Sequence, residues 1–168
     1  MPIFLLSEKL TIEISILGWI AWSFLVGFIG HCIPLSWLLK DTPITQLYNW
    51  LDNQDRYEKL LKIKWWKDKL PDAGQFFPRG IAKSLQGRCS ILNLQRQIIE
   101  TRRAEYVHWC IWLFWIPTIL WMPIKGVLMS CLFATAFNLP CLLVQRYNRL
   151  RILQLERAFL LRRKGFSN

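Results

Sequence analysis

Between Ile14 and Leu39 the chain contains no Asp, Glu, Lys or Arg, and two further stretches, 106–124 and 126–145, are equally free of charge. These runs of 26, 19 and 20 residues constrain the fold more than any other feature of the 168 residues. About 20 apolar residues cross the hydrocarbon of a bilayer as a helix, since each backbone polar group there must be satisfied within its own segment. A soluble core would space its apolar residues at helical or strand period instead of collecting them in blocks. The pattern predicts an all-α integral membrane protein, one membrane domain with three transmembrane helices over 13–39, 105–122 and 126–145. The first run is far longer than the apolar region of a cleavable signal peptide, and no small-residue cleavage site follows it.

Residues 40–104 form the long connection, with interfacial and cytoplasmic helices, and 146–168 a basic tail. Thr42 and Pro43 suit a helix start. Leu47, Trp50, Leu51, Tyr57, Leu61 and Trp65 then make a rough helical stripe opposite Asn53, Gln54 and Asp55. Tryptophans among lysines, as in Lys62-Ile-Lys-Trp-Trp-Lys67, fit the headgroup layer, where rings sit at the interface and ammoniums reach phosphate. A net charge of +11 with ten tryptophans would also suit nucleic acid, but three spans direct these groups to membrane lipids, and no nucleic-acid partner is expected. Pro71, Gly74, Pro78 and Gly80 mark a loop, after which a helix beginning at Ser90 meets no breaker before Pro117. Lys and Arg number thirteen in 40–104 and seven from Gln145 onward, against only Lys125 in the turn between the last two spans. That bias predicts an N-terminus outside, with 40–104 and the tail cytoplasmic. The five cysteines show no CxxC pairing and sit mostly in apolar segments, so they read as small hydrophobes or thiols.

Where the charged helix meets the second span, Glu100, Thr101, Glu105 and His108 fall on one arc. Ionisable groups at the edge of hydrocarbon are costly and ask for a reason. Spans two and three form a tight hairpin, so Glu100–His108 should neighbour Gln145–Arg149. Asn138, Gln145 and Arg149 share a face if the third helix continues past Pro140. In such a pocket His108 can act as general base, with Glu105 orienting it. Arg103, Arg146 and Arg149 can bind phosphate or a developing oxyanion, to which Asn138 or Asn148 can also donate. No serine or cysteine nucleophile stands beside the histidine, which favours direct transfer over a covalent intermediate. One histidine with two glutamates is a poor di-iron set, and no metal is expected. A purely structural reading stands beside this one: Glu100–Arg103 and Arg102–Glu105 as intrahelical pairs, His108 as a hydrogen-bonded interior residue, and Gln145–Arg149 as an anchor.

Glu100-Thr-Arg-Arg-Ala-Glu105, His108-Trp109, Asn138-Leu-Pro140 and Gln145-Arg-Tyr-Asn-Arg149 together resemble the glycosyl-4,4′-diaponeurosporenoate acyltransferase family. Gly30, Ile33-Pro34 and Trp66-Lys-Asp-Lys-Leu-Pro-Asp72 fit the same pattern, so the resemblance runs from about residue 30 to 153. It implies a membrane acyltransferase that esterifies a sugar hydroxyl of a carotenoid glycoside. Its acyl donor would be a thioester on coenzyme A or a carrier protein, used as substrate with no bound cofactor. It also implies site roles for Glu100, Arg103, Glu105, His108, Asn138, Gln145, Arg146, Tyr147, Asn148 and Arg149. One departure is Leu150, where the family pattern carries proline; its loss lets the third helix run into the tail. The competing reading is a non-enzymatic pigment- or lipid-binding subunit that helps assemble a membrane complex.

Overall fold

A computed structural model describes residues 3–4, 6–70 and 91–165, with side chains to 162. Every regular element among them is helical. The expected loop from Pro71, Cys89 and the helix start at Ser90 lie outside the described residues. The chain divides into two compact units, one made of Met1–Ile33 with Tyr106–Leu142, the other of Pro34–Glu105 with Leu143–Asn168.

In the first unit, helix α1 (Glu8–Cys32) starts at Ser7, whose hydroxyl accepts from the Leu10 N–H, with Glu8 in the first turn. It stops seven residues before the uncharged run does. Ile33 precedes Pro34 and is extended (φ −61°, ψ 124°), because the proline ring excludes helical backbone from the residue before it. The expected first span over 13–39 is thus corrected to a helix that begins earlier and ends at Cys32. Its large side chains lie outward: Phe24 is 72% exposed and Leu17 65%. α1 packs through small residues. A Cβ at Gly18 would stand 2.8 Å from Phe114 Cζ, and one at Gly30 would overlap Val107 Cγ2. Trp19 meets Phe114 and Phe133 edge-on, Trp22 Nε1 donates to the Cys110 carbonyl, and Trp121 Nε1 donates to Ser15 Oγ at 2.9 Å.

Helix α3 (Ile91–Trp112) does not continue to Pro117 as an α-helix. It tightens into 3-10 turns at Leu113–Trp115 and Pro117–Leu120. Pro117 lacks the N–H that would bond the Leu113 carbonyl, and its ring crowds that carbonyl, so the distortion begins four residues upstream. After a short turn, α4 (Ile124–Gly165) runs 42 residues with Pro140 inside it and passes through Leu150 into the tail. Among the described residues, two helices are long and apolar enough to cross a membrane, Glu8–Cys32 and Ile124–Arg162.

The second unit corrects the connection. The expected helix from Thr42 to Trp66 is largely a series of turns, with a π-helical turn at Arg56–Leu60 and a one-turn α2 at Ile63–Trp66. Short polar side chains compete with the helical ladder here. Asp52 Oδ2 accepts from the Tyr48 N–H, Asn53 Oδ1 from the Asp55 N–H, and Thr45 Oγ1 from the Thr42 N–H. Trp50, Leu51, Leu61 and Trp65 of the proposed stripe are exposed, while Thr45, Asp52, Tyr57 and Ile63 are buried. Tyr57 and Ile63 join Val144 and Tyr147 of α4 in the unit's apolar cluster.

Candidate active site

In the first unit the one titratable group of the expected site is His108. Its Nδ1 lies 3.2 Å from Asn138 Oδ1. The Asn138 amide nitrogen donates to the Ala134 carbonyl at 2.9 Å, one turn back on α4, and this fixes which end of the amide faces the ring. An amide oxygen only accepts, so the imidazole must carry its proton on Nδ1. Nε2 is then left with a lone pair, the form a general base requires. One helical turn on, Trp112 Nε1 donates to Thr135 Oγ1 at 3.0 Å, and Trp109 stands edge-on to Trp112. Among the described residues Asn138 is the polar partner of the ring.

In the second unit α3 and α4 meet through charge. Arg146 is buried and every donor of its guanidinium group is engaged. Nε and Nη2 grip Asp52 Oδ1 and Oδ2 at 2.9 and 2.6 Å, a bidentate pair. Nη1 reaches Glu105 Oε1 at 2.5 Å and the Ile44 carbonyl at 3.1 Å, and Nη2 also takes the Gln46 carbonyl at 2.7 Å. Arg149 Nη2 donates to the Thr45 carbonyl and stands 2.7 Å from Glu105 Oε2, an ion pair without hydrogen-bond alignment. Arg149 Nε and Nη1 have no hydrogen-bond partner among the described residues, although Arg149 is fully buried. The residues 44–46 that fail to form a helix thus give their carbonyls to the two arginines. Burial would push the Asp52 carboxyl up, but hydrogen bonds from Arg146, Tyr57 and the Tyr48 N–H outweigh it and hold the group below its ordinary range. Burial, then Asp52 as acceptor of its 2.6 Å hydrogen bond, push the Tyr57 phenol up.

The other expected residues are placed as follows. Tyr147 is buried and its hydroxyl donates to Glu58 Oε1 at 2.9 Å. Glu100 pairs with Arg103 at 3.0 Å along α3, as the structural reading expected. The other intrahelical pair is replaced: Arg102 goes to Asp41 at 2.7 Å and to the carbonyls of Leu38 and Leu39. Gln145 and Asn148 are half-buried. Sequence reasoning paired Glu105 with the imidazole; the structure gives Glu105 to two arginines and His108 to Asn138. Asp52 and Thr45 were not foreseen. A signal existed for Asp52, because two guanidiniums one turn apart face a single carboxylate on α3 and call for a second.

The family model for glycosyl-4,4′-diaponeurosporenoate acyltransferase matches residues 34–158, which include both the Glu105–Arg149 network and the His108–Asn138 pair. The chain belongs to that family. It is similar to the glycosyl-4,4′-diaponeurosporenoate acyltransferase of Staphylococcus haemolyticus, with 32% identity over 133 residues, 78% of this chain and 74% of the relative. The enzymes of the same name from Staphylococcus aureus strains Newman and MRSA252 are 28% and 27% identical over 149 residues, covering 88% of this chain and 87% of each relative. No solved structure matches the chain. Family membership makes it an acyltransferase and sets aside the reading as a non-enzymatic subunit.

Proposed function

We propose that this acyltransferase moves a fatty acyl group from a thioester, carried by coenzyme A or a carrier protein, to a sugar hydroxyl of a carotenoid glycoside at the membrane. The acceptor is read from what the related enzymes are named for. His108 Nε2 takes the proton of the acceptor hydroxyl as its oxygen attacks the thioester carbonyl. The tetrahedral intermediate then collapses, the C–S bond breaks, and the imidazolium returns the proton to the departing thiolate. Asn138 holds the ring in the tautomer this requires, the orienting task expected of Glu105. The carrying observation is the chain of contacts from His108 Nδ1 to Asn138 and on to the Ala134 carbonyl.

Arg149, with Nε and Nη1 unengaged among the described residues, is the guanidinium fitted to bind a substrate oxygen, while Glu105, itself bonded by Arg146, pairs with it and Tyr147 ties the same stretch of α4 to Glu58. Glu100, Arg103, Gln145 and Asn148 complete the proposed substrate-binding set. Three spans, over α1, 105–122 and 126–145, with the N-terminus outside and 40–104 and the tail cytoplasmic, follow from the outward apolar side chains of α1 and the Lys and Arg bias. Membrane lipids, and other proteins of a membrane complex, are the expected surroundings.

The test is His108→Ala in a host that makes the glycoside. The variant should accumulate to normal levels and lose acyl transfer by about 100-fold or more, with the unesterified glycoside building up. Retained esterification in that strain removes His108 from the chemistry.

A further inference from the structure

Beside α2 lies an open groove of about 470 Å³ lined by Glu58, Lys62, Lys64 and Trp65, within the range of small-molecule sites. Its acid is already engaged. Glu58 Oε1 accepts from Gln54 Nε2 and Tyr147 Oη, both at 2.9 Å, and Oε2 from Lys64 Nζ at 2.5 Å. Lys62 has no ion-pair partner among the described residues, so two lysines against one glutamate leave a net positive charge on its side chain. Trp65 supplies a flat apolar wall, 74% exposed, with the Lys69 ammonium 3.8 Å over its ring.

Lys62 also has the one left-handed backbone among non-glycine described residues (φ 47°, ψ 38°). A lysine gains nothing locally from that conformation, where glycine or asparagine would sit more comfortably. Strain of this kind is found at sites where side-chain chemistry is needed in place.

We propose that this groove binds the phosphate-bearing arm of the acyl donor, a phosphate ester held by Lys62 with the adjoining flat or apolar portion of the arm against Trp65. The inference rests on the acyl transfer argued above and names the end of the donor that the protein grips. Both thioester carriers bear a phosphate next to the pantetheine arm, whereas a glycosylated carotenoid carboxylate offers no phosphate.

The test uses the full chain in nanodiscs of zwitterionic lipid, titrated with coenzyme A by calorimetry. Lys62→Gly removes the ammonium and relaxes the backbone, so it should melt no lower than the parent while binding coenzyme A about 10-fold or more weakly. Lys62→Arg keeps the charge and should bind within about twofold of the parent, and pantetheine without phosphate should not distinguish the three. Unchanged coenzyme A binding by Lys62→Gly overturns the proposal. So does a loss seen only on vesicles containing phosphatidylglycerol, which would assign the groove to lipid headgroups. Because binding is read without turnover, an active His108→Ala enzyme would sink the base assignment and leave this result standing.

Discussion

Glu105 and Arg149, both with no exposure to solvent, pair at 2.7 Å between Oε2 and Nη2. With Arg146 and Asp52 they make a buried set of two cations and two anions, in which each side chain depends on the others for its charge. Removing one member leaves a charge in a low-dielectric interior, which costs about 3–5 kcal/mol. Glu105→Leu should therefore be strongly destabilised in a thermal melt of the detergent-solubilised protein. Glu105→Leu with Arg149→Leu leaves the Arg146–Asp52 pair balanced, and should be more stable than the sum of the single losses by upwards of about 1.5 kcal/mol. Strict additivity of the two substitutions counts against a coupled network.

In the proposed mechanism Asn138 acts on the reaction through His108, whose Nδ1 lies 3.2 Å from its Oδ1. Asn138→Asp retains an oxygen acceptor for Nδ1, and Asn138→Leu does not. The leucine variant should lower kcat by about 10- to 100-fold with the donor KM little changed, and the aspartate variant should lose less. The split is read from steady-state kinetics on protein normalised for folded content. Equal losses in both variants would assign Asn138 a packing role alone.

Gly30 lets α1 come close to α3 in the first unit, since a Cβ there would overlap Val107 Cγ2. Small residues permit such approach between apolar helices, where packing supplies most of the association. Gly30→Val should lower stability by about 1–3 kcal/mol, and Val107→Ala introduced with it should recover part of the loss. Melting midpoints of the three proteins decide the matter, and no recovery in the double variant refutes the contact.

Acid should unfold the second unit through its carboxylates. Asp52 is held below its ordinary range despite burial, and hydrogen bonds from Lys64, Gln54 and Tyr147 hold Glu58 at about 2. A depressed folded-state value means that the stability is fully present above the unfolded-state value and is lost as pH falls through the folded one. The melting midpoint should stay level from neutral pH to about 5, then fall between about pH 4.5 and 2. Glu58→Gln should start lower and show a shallower fall, and a midpoint that rises on acidification reverses the sign and defeats the account.

The long apolar helices, the continuation of α4 through Pro140 and Leu150, and the meeting of Glu105 with Arg146 and Arg149 all follow from residue order. Uncharged runs and spacings of three and four are local properties, and a hairpin of antiparallel helices brings known ends together. Less legible were the ends of elements. Pro34 and Pro117 each shortened a helix by more than the charge pattern suggested, because charge patterning does not register a missing N–H.

By itself the sequence determined an all-helical chain, its apolar blocks, and the residues that identify the acyltransferase family. Only the tertiary structure decided that residues 42–53 are turns and irregular chain whose Ile44, Thr45 and Gln46 carbonyls serve buried arginines, that Asp52 supplies the second buried acid, and that Asn138 is the partner of His108. The physical reason is that a buried guanidinium must be satisfied from every direction in space. Such donors and acceptors come from segments about a hundred residues apart, and no local period encodes that distance.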